Sequence, residues 1–183
     1  MTQRLTKEDW LAAGFRALAA KGPAALKAEA LARDLGSTKG SFYWHFKDLP
    51  AYKSQMLALW RNKAALEIMQ RVLDEADQDA QLERLAQEAS VDAPDAFGGR
   101  AVESAIRAWS LSDVAVRDAL LDVDALRTDF IKDLLTKAGH HPRYAPLFYA
   151  CFIGLDDQAA RNNNQINQGL MDLIGLIKAA RAT

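Results

Sequence analysis

Cysteine is almost absent from this chain: Cys151 is the single one in 183 residues. No intramolecular disulfide can therefore staple the fold, and a reducing compartment suits it. Long apolar runs are missing as well. The longest, Leu147 to Leu155, has nine residues, well short of the ~20 that cross a bilayer. No signal-peptide pattern precedes Trp10, so a cytoplasmic protein with no membrane partner is expected. Histidine is scarce, and His140 and His141 are adjacent in a turn before Pro142. They lack the i, i+4 spacing of a zinc site and are expected to point apart from an exposed turn. Cys151 lies in an apolar run, unlike the electropositive, partly open setting of a nucleophile. Gly98-Gly99 reads as a flexible joint rather than a phosphate cradle, and Asp156-Asp157 as solvated charge. Without a convergent polar set, no enzymatic activity, metal or cofactor is expected.

Strand-like alternation and internal repeats are missing too, while helical periodicity is everywhere. Thr6 with Asp9 forms a capping-box pattern for a first helix carrying Trp10, Leu11, Phe15 and Leu18, closed by Gly22 and Pro23. Asp48 can cap a long fourth helix whose stripe is Tyr52, Met56, Leu59, Trp60, Ala64, Met69 and Leu73, ending near Asp77. A short helix from Gln81 to Ala89 and a loop from Val91 to Gly99 follow. Ala101 to Trp109 forms another helix, and Ser112 can cap one that reaches Gly139. Pro146 opens a very apolar helix over Leu147 to Leu155. A polar spacer, Gln158 to Asn164, precedes a last helix with Ile166, Leu170, Leu173, Ile174 and Ile177 in one stripe. The expected fold is all-α, with about nine helices.

The stretch Ala25 to Lys47, ALKAEALARDLGSTKGSFYWHFK, carries the chemistry. A helix from about Leu26 to Leu35, a sharp turn at Gly36 and a second helix capped by Ser37 or Thr38 outline a helix-turn-helix. Phe42 and Phe46, four apart, would pin the second helix by one edge. Its other edge holds Lys39, Ser41, Tyr43, Trp44, His45 and Lys47. Lys39 and Lys47 suit phosphates, and Gly40 lets the helix approach a groove. Thr38 and Ser41 can bond bases or phosphates, and Tyr43 offers a ring and a hydroxyl. Trp44 either borders the groove or packs. Double-stranded DNA is thus the expected macromolecular partner.

Charge is divided in the same sense. Residues 1 to 47 hold eight basic and four acidic groups, a net +4, whereas the remaining 136 hold 15 and 20, a net −5. A basic head on an acidic body suits a protein that presents one end to a polyanion. We divide the chain accordingly into a helix-turn-helix domain, 1–48, and an effector-binding and dimerisation domain, 49–183.

Two features of the second part bear on partners. The terminal helices are more apolar than a monomer's surface helices need to be. Phe148, Phe152, Ile153, Ile166, Leu170, Leu173 and Ile177 are therefore candidates for the interface of a homodimer packed as an isologous four-helix bundle. The competing reading is a wholly internal hairpin. Met56, Trp60, Phe97, Trp109 and Phe130 are large enough to line an apolar pocket for an unidentified small hydrophobic effector, with Arg107 and Asp129 as polar contacts; aromatic residues at helical spacing are equally core residues.

The phrase LARDLGSTKGSFYWHFKDLPAYKSQML, Leu31 to Leu57, resembles the helix-turn-helix of TetR-family transcriptional regulators. The glycine turn, the Lys39-Gly40-Ser41 start of the recognition helix, Tyr43, the His45-Phe46 pair and the immediate fourth helix carry the likeness. Ala105 to Trp109 and Val123-Asp124 are more weakly similar to some ligand-binding lobes. The resemblance implies a dimer that represses, less often activates, at a palindromic operator and leaves it when a small effector binds. It implies that Thr38, Lys39, Ser41 and Tyr43 face DNA and that His45 and Lys47 reach phosphates. Lys27 stands where many members have a phosphate-touching threonine, and Ser37 where a small apolar residue is common. A helical ligand-binding or protein-interaction module without DNA function is the alternative.

Overall fold

The computed structural model describes residues 5–92, 94–162 and 166–180, and all regular elements among them are helical. In chain order they are α1 (Lys7–Lys21), α2 (Ala28–Asp34), α3 (Lys39–His45), α4 (Leu49–Arg61), α5 (Glu67–Leu73), α6 (Gln78–Ala89), α7 (Ala101–Ser110), α8 (Val114–Lys137), α9 (Ala145–Asn162) and α10 (Ile166–Ala179). A π turn, Asn62–Leu66, fuses α4 and α5, which leaves nine helices among the described residues. Short 3-10 turns lie at Pro23–Ala25, Asp95–Phe97 and Pro142–Tyr144. No helix among the described residues is long and apolar enough to cross a membrane.

Side chains set the helix ends. The Asp9 N–H donates to Thr6 Oγ1 at 3.2 Å and the Thr6 N–H donates to Asp9 Oδ2 at 2.7 Å, completing a capping box on α1. The Thr6 N–H and the Thr6 hydroxyl, both donating to Asp9 Oδ2, hold that carboxyl below the usual aspartate range. Asp48 Oδ1 accepts the Ala51 N–H at 2.7 Å and Asp77 Oδ2 accepts that of Ala80 at 2.8 Å, so α4 and α6 start on aspartates.

Three expectations change. Asp113, not Ser112, caps α8: its Oδ1 accepts the Ala115 N–H at 3.1 Å, while Ser112 Oγ donates back to the Trp109 carbonyl. The polar stretch from Gln158 to Asn162 continues α9, because Gln, Ala and Arg are good helix formers and need no burial to extend it; Asn163 and Asn164 lie outside the described residues. The stripe on the fourth helix is also broken. Tyr52, Met56 and Trp60 are buried as expected, but Ala65 and Val72 then take the inner positions, and Leu73 is 46% exposed. The π turn adds one residue between Trp60 and Ala65, and the expected Ala64 and Met69 are left half-buried.

The described chain packs as two compact units, Met1–Trp60 with Asp92–Leu120, and Arg61–Val91 with Leu121–Thr183. The expected head, 1–48, lies within the N-terminal unit, which also takes in α4 to Trp60, α7 and the start of α8. Its buried side chains include Trp10, Phe15 and Leu18 of α1, Leu31 of α2, Phe42 of α3, Tyr52 and Met56 of α4, and Ile106 of α7. In the C-terminal unit, Val72, Leu82, Leu85, Ile131, Leu134, Phe148, Leu170 and Ile174 form one apolar core drawn from α5, α6, α8, α9 and α10.

One close approach organises the N-terminal unit. The Tyr52 hydroxyl donates to the Trp10 carbonyl at 2.8 Å, and a Cβ at Gly14 would lie 1.9 Å from that hydroxyl oxygen. Burial pushes the Tyr52 phenol far above its ordinary value, so it stays a neutral donor.

Gly14→Ala is expected to lower the unfolding free energy by about 1–3 kcal/mol in urea titration; an unchanged midpoint would show that Tyr52 does not depend on this gap. Because the Asp9 pKa is lowered on folding, its contribution is present above the unfolded aspartate value and lost as pH falls through the folded one. Asp9→Asn should therefore flatten part of the acid limb of the stability curve, read as thermal midpoints against pH.

Candidate nucleic-acid interface

The turn between α2 and α3 is built by backbone hydrogen bonding. The Ser37 N–H donates to the Ala32 carbonyl at 2.8 Å and the Gly36 N–H to the Arg33 carbonyl at 3.2 Å. This Schellman closure requires a left-handed residue, and Gly36 has φ +60. The chain then leaves in extended form to Thr38, whose Oγ1 accepts the Ser41 N–H at 3.2 Å and starts α3. Of the two candidates for that cap, Thr38 is used.

One edge of α3 is anchored in aromatics. Phe42 and Phe46 are fully buried, and their ring centroids lie 5.1 and 4.8 Å from that of Tyr52. Phe42 also meets Trp10 edge-on at 5.5 Å. His45 is half-buried, 6.5 Å from Trp10 and 4.7 Å from Trp44 between ring centroids, so its ring packs beside the anchor.

The opposite edge is open. Thr38, Lys39, Gly40, Tyr43, Trp44 and Lys47 are exposed and Ser41 is half-buried, so these sequence-predicted residues lie together on one short surface. Trp44 is 68% exposed, an unusual setting for a tryptophan that the fold does not bury. Lys27 is exposed at the N-cap of α2, where it supplies charge but no cap to the helix. A Cβ at Gly40 would meet only Thr38 Oγ1, at 3.7 Å, so the fold itself does not require glycine there.

Glu29 of α2 is a member of this surface that the sequence reading did not include. It forms an ion pair with Lys39, whose ammonium also lies 5.9 Å from the Tyr43 ring. The pair holds the Glu29 carboxyl below its usual range and raises the Lys39 amine. Both side chains are exposed, so the pair sets a conformation rather than contributing stability. Their separation of ten residues across a turn has no helical period, so no sequence signal marks it.

The remaining candidates are placed as follows. Met56, Trp60 and Trp109 are buried in the N-terminal unit, as is most of Phe97, 6.2 Å from Phe15. Trp60 Nε1 donates to Glu103 Oε2 at 3.2 Å, and Lys53 Nζ lies 5.2 Å from the Trp109 ring. Arg107 pairs with Glu103 at 3.0 Å, whereas Asp129 is exposed. Phe130 belongs to the C-terminal unit and packs on its core. Of the interface candidates, Phe148, Ile166, Leu170 and Ile177 are buried by the chain itself, while Phe152, Ile153 and Leu173 are half-buried. Leu147 and Leu176, on the same two helices, are 60% and 69% exposed. His140 is buried rather than in an exposed turn, 3.6 Å from Asp79, because a second Schellman closure at Gly139 folds it back. His141 is exposed, as expected. Burial raises the Cys151 thiol pKa, the opposite of what activates a nucleophile.

Residues 11–48 match the model of the bacterial regulatory proteins, tetR family. No curated protein matches in sequence. Solved structures share the fold along the chain. One is a protein from Rhodococcus sp. assigned to the TetR family of transcriptional regulators: 22% identical, TM-score 0.73, 98% of each chain covered. A transcriptional regulator from Rhodococcus sp. Rha1 is 17% identical at TM-score 0.80, with 96% of this chain and 97% of that one covered. The reduced form of NemR from E. coli is 18% identical at TM-score 0.71, covering 94% and 95%.

Replacing Thr38 by alanine removes the side-chain acceptor at the start of α3, and should lower stability by about 1 kcal/mol in urea titration. A loss within error would mean that the aromatic anchor alone holds the helix.

Proposed function

From the match of residues 11–48 to the tetR-family model, we propose that the chain is a TetR-family regulator and a homodimeric transcriptional repressor of a palindromic operator. A small hydrophobic effector bound in residues 49–183 releases it. The protein acts in the cytoplasm and catalyses no reaction. The observation that carries this reading is the open edge of α3: hydroxyl, ammonium, glycine and aromatic groups side by side, on a helix whose other edge is locked by Phe42 and Phe46. Such a rigid, two-edged helix is what major-groove reading requires.

Within that reading, Lys27, Lys39, His45 and Lys47 neutralise phosphates, and Thr38, Ser41, Tyr43 and Trp44 touch base edges or backbone. Lys39 must exchange Glu29 for a phosphate on binding. The basic head and acidic remainder, +4 and −5, favour binding by this end. Dimerisation uses the outward residues of α9 and α10, Leu147 and Leu176 with the half-buried Phe152, Ile153 and Leu173, since a partner can cover only what the chain's own core leaves open. Met56, Trp60, Phe97 and Trp109, all of the N-terminal unit, remain the residues assigned to the effector.

Gel shifts with the region upstream of the protein's own operon, repeated over a salt series, test the proposal. Lys39→Ala and Tyr43→Ala should each weaken specific binding by about 1–3 kcal/mol, and the lysine change should also reduce the salt slope by about one unit. Both should leave the helical circular-dichroism signal intact. Wild-type protein without salt-sensitive specific binding would favour a helical interaction module instead. Gly40→Ala separates fold from function: stability should rise by up to about 1 kcal/mol while operator affinity falls. Equal affinity would show that the helix does not approach the groove at this point.

A further inference from the structure

Helix α4 continues into α5 through the π turn Asn62–Leu66, where the Glu67 N–H reaches back to the Asn62 carbonyl instead of to that of Lys63. The turn absorbs one residue. Buried positions advance by four from Tyr52 to Met56 and from Met56 to Trp60, then by five to Ala65. A π turn has poorer standing than an α turn of the same chain, so a contact from outside the helix must favour it.

Arg127 of α8 makes that contact. Its guanidinium donates through Nε at 3.2 Å and Nη2 at 3.0 Å to the carbonyl of Ala64, inside the turn. A third bond, from Nη1 to the Tyr149 hydroxyl at 3.1 Å, fixes the plane of the group. The Tyr149 hydroxyl donates onward to Asp124 Oδ1 at 2.7 Å, and the Phe152 ring lies 5.7 Å from the guanidinium carbon. The guanidinium is therefore oriented by α8 and α9 and spends two donors on one backbone oxygen of the π turn. All of these residues belong to the C-terminal unit.

We propose that Arg127 is a clamp that selects the π turn over regular α-helix at residues 62–66, so that the α4–α5 helix has two registers one residue apart. Holding Ala64 keeps the π register. Releasing it lets residues 62–66 relax to the α register, with one residue fewer in the turn. Arg127 is a positioning residue in this device, and Tyr149 with Asp124 aims it. Any consequence for the reading helix rests on the DNA-binding function proposed above; the clamp itself does not.

A double-mutant cycle in urea, without DNA, tests the clamp on the full chain. Deleting Lys63, which is exposed and pairs only with neighbouring Glu67 among the described contacts, removes the extra residue and should give a folded chain with a regular helix. Arg127→Gln should raise the unfolding equilibrium constant of the parent chain by roughly tenfold or more. In the Lys63-deleted chain its effect should be at least several-fold smaller, because the two bonds to Ala64 are no longer there to be lost. A Lys63-deleted chain that fails to fold, or an equal effect of Arg127→Gln in both backgrounds, overturns the proposal. Gel shifts of the same variants then report the link to DNA: Arg127→Gln should change operator affinity in the parent chain. If wild-type protein binds no operator, that reading fails while the urea cycle still decides the clamp.

Discussion

The hydroxyl of Tyr52 resting over Gly14 is the constraint on which the N-terminal unit depends. It brings α4 against α1 closely enough to bond the Trp10 carbonyl, at a place where any side chain would collide. The same tyrosine ring then supports both Phe42 and Phe46. The orientation of α3 is thus fixed by a buried aromatic cluster rather than by the polar residues that face outward. The buried and exposed residues occupy opposite edges of the seven-residue α3.

The outer edge is not simply basic. Glu29 occupies Lys39 and Asp34 lies 3.8 Å from Arg16, so part of the head's positive charge is already paired within the N-terminal unit. Exposed pairs of this kind exchange readily for phosphates. In the proposed complex, opening such a pair would be offset by the counterions that DNA releases.

In the C-terminal unit the polar network around Arg127 adjoins a core that is mainly apolar but also buries Gln81, His140 and Asp156. Its members come from the π turn, α8 and α9, and each bond is short enough to specify a position. Half-buried guanidinium groups are costly unless satisfied, so such a network persists where it defines a geometry that apolar packing alone would leave degenerate. A helix with an extra residue is that kind of geometry.

Much of this was legible in the chain itself. The capping box at Thr6 and Asp9, the glycine turn at Gly36, the aspartate at 48 and the i, i+4 pair Phe42 and Phe46 are local signals, and none joins residues more than five apart. They were enough for an all-α fold with a helix-turn-helix at its start and for the row of residues on its open edge. Periodicity failed where a distant group intervened: the stripe through Ala64, Met69 and Leu73 was out of phase after the π turn. It also overstated what lies open on α9 and α10, since an apolar stripe does not say whether the chain or a partner covers it. Local sequence determined where helices begin, end and which edge of α3 is apolar, because caps and periods are short-range. Only tertiary structure decided that Glu29 holds Lys39, that Gly14 admits Tyr52 and that Arg127 grips Ala64, because those contacts join residues with no periodic relation along the chain.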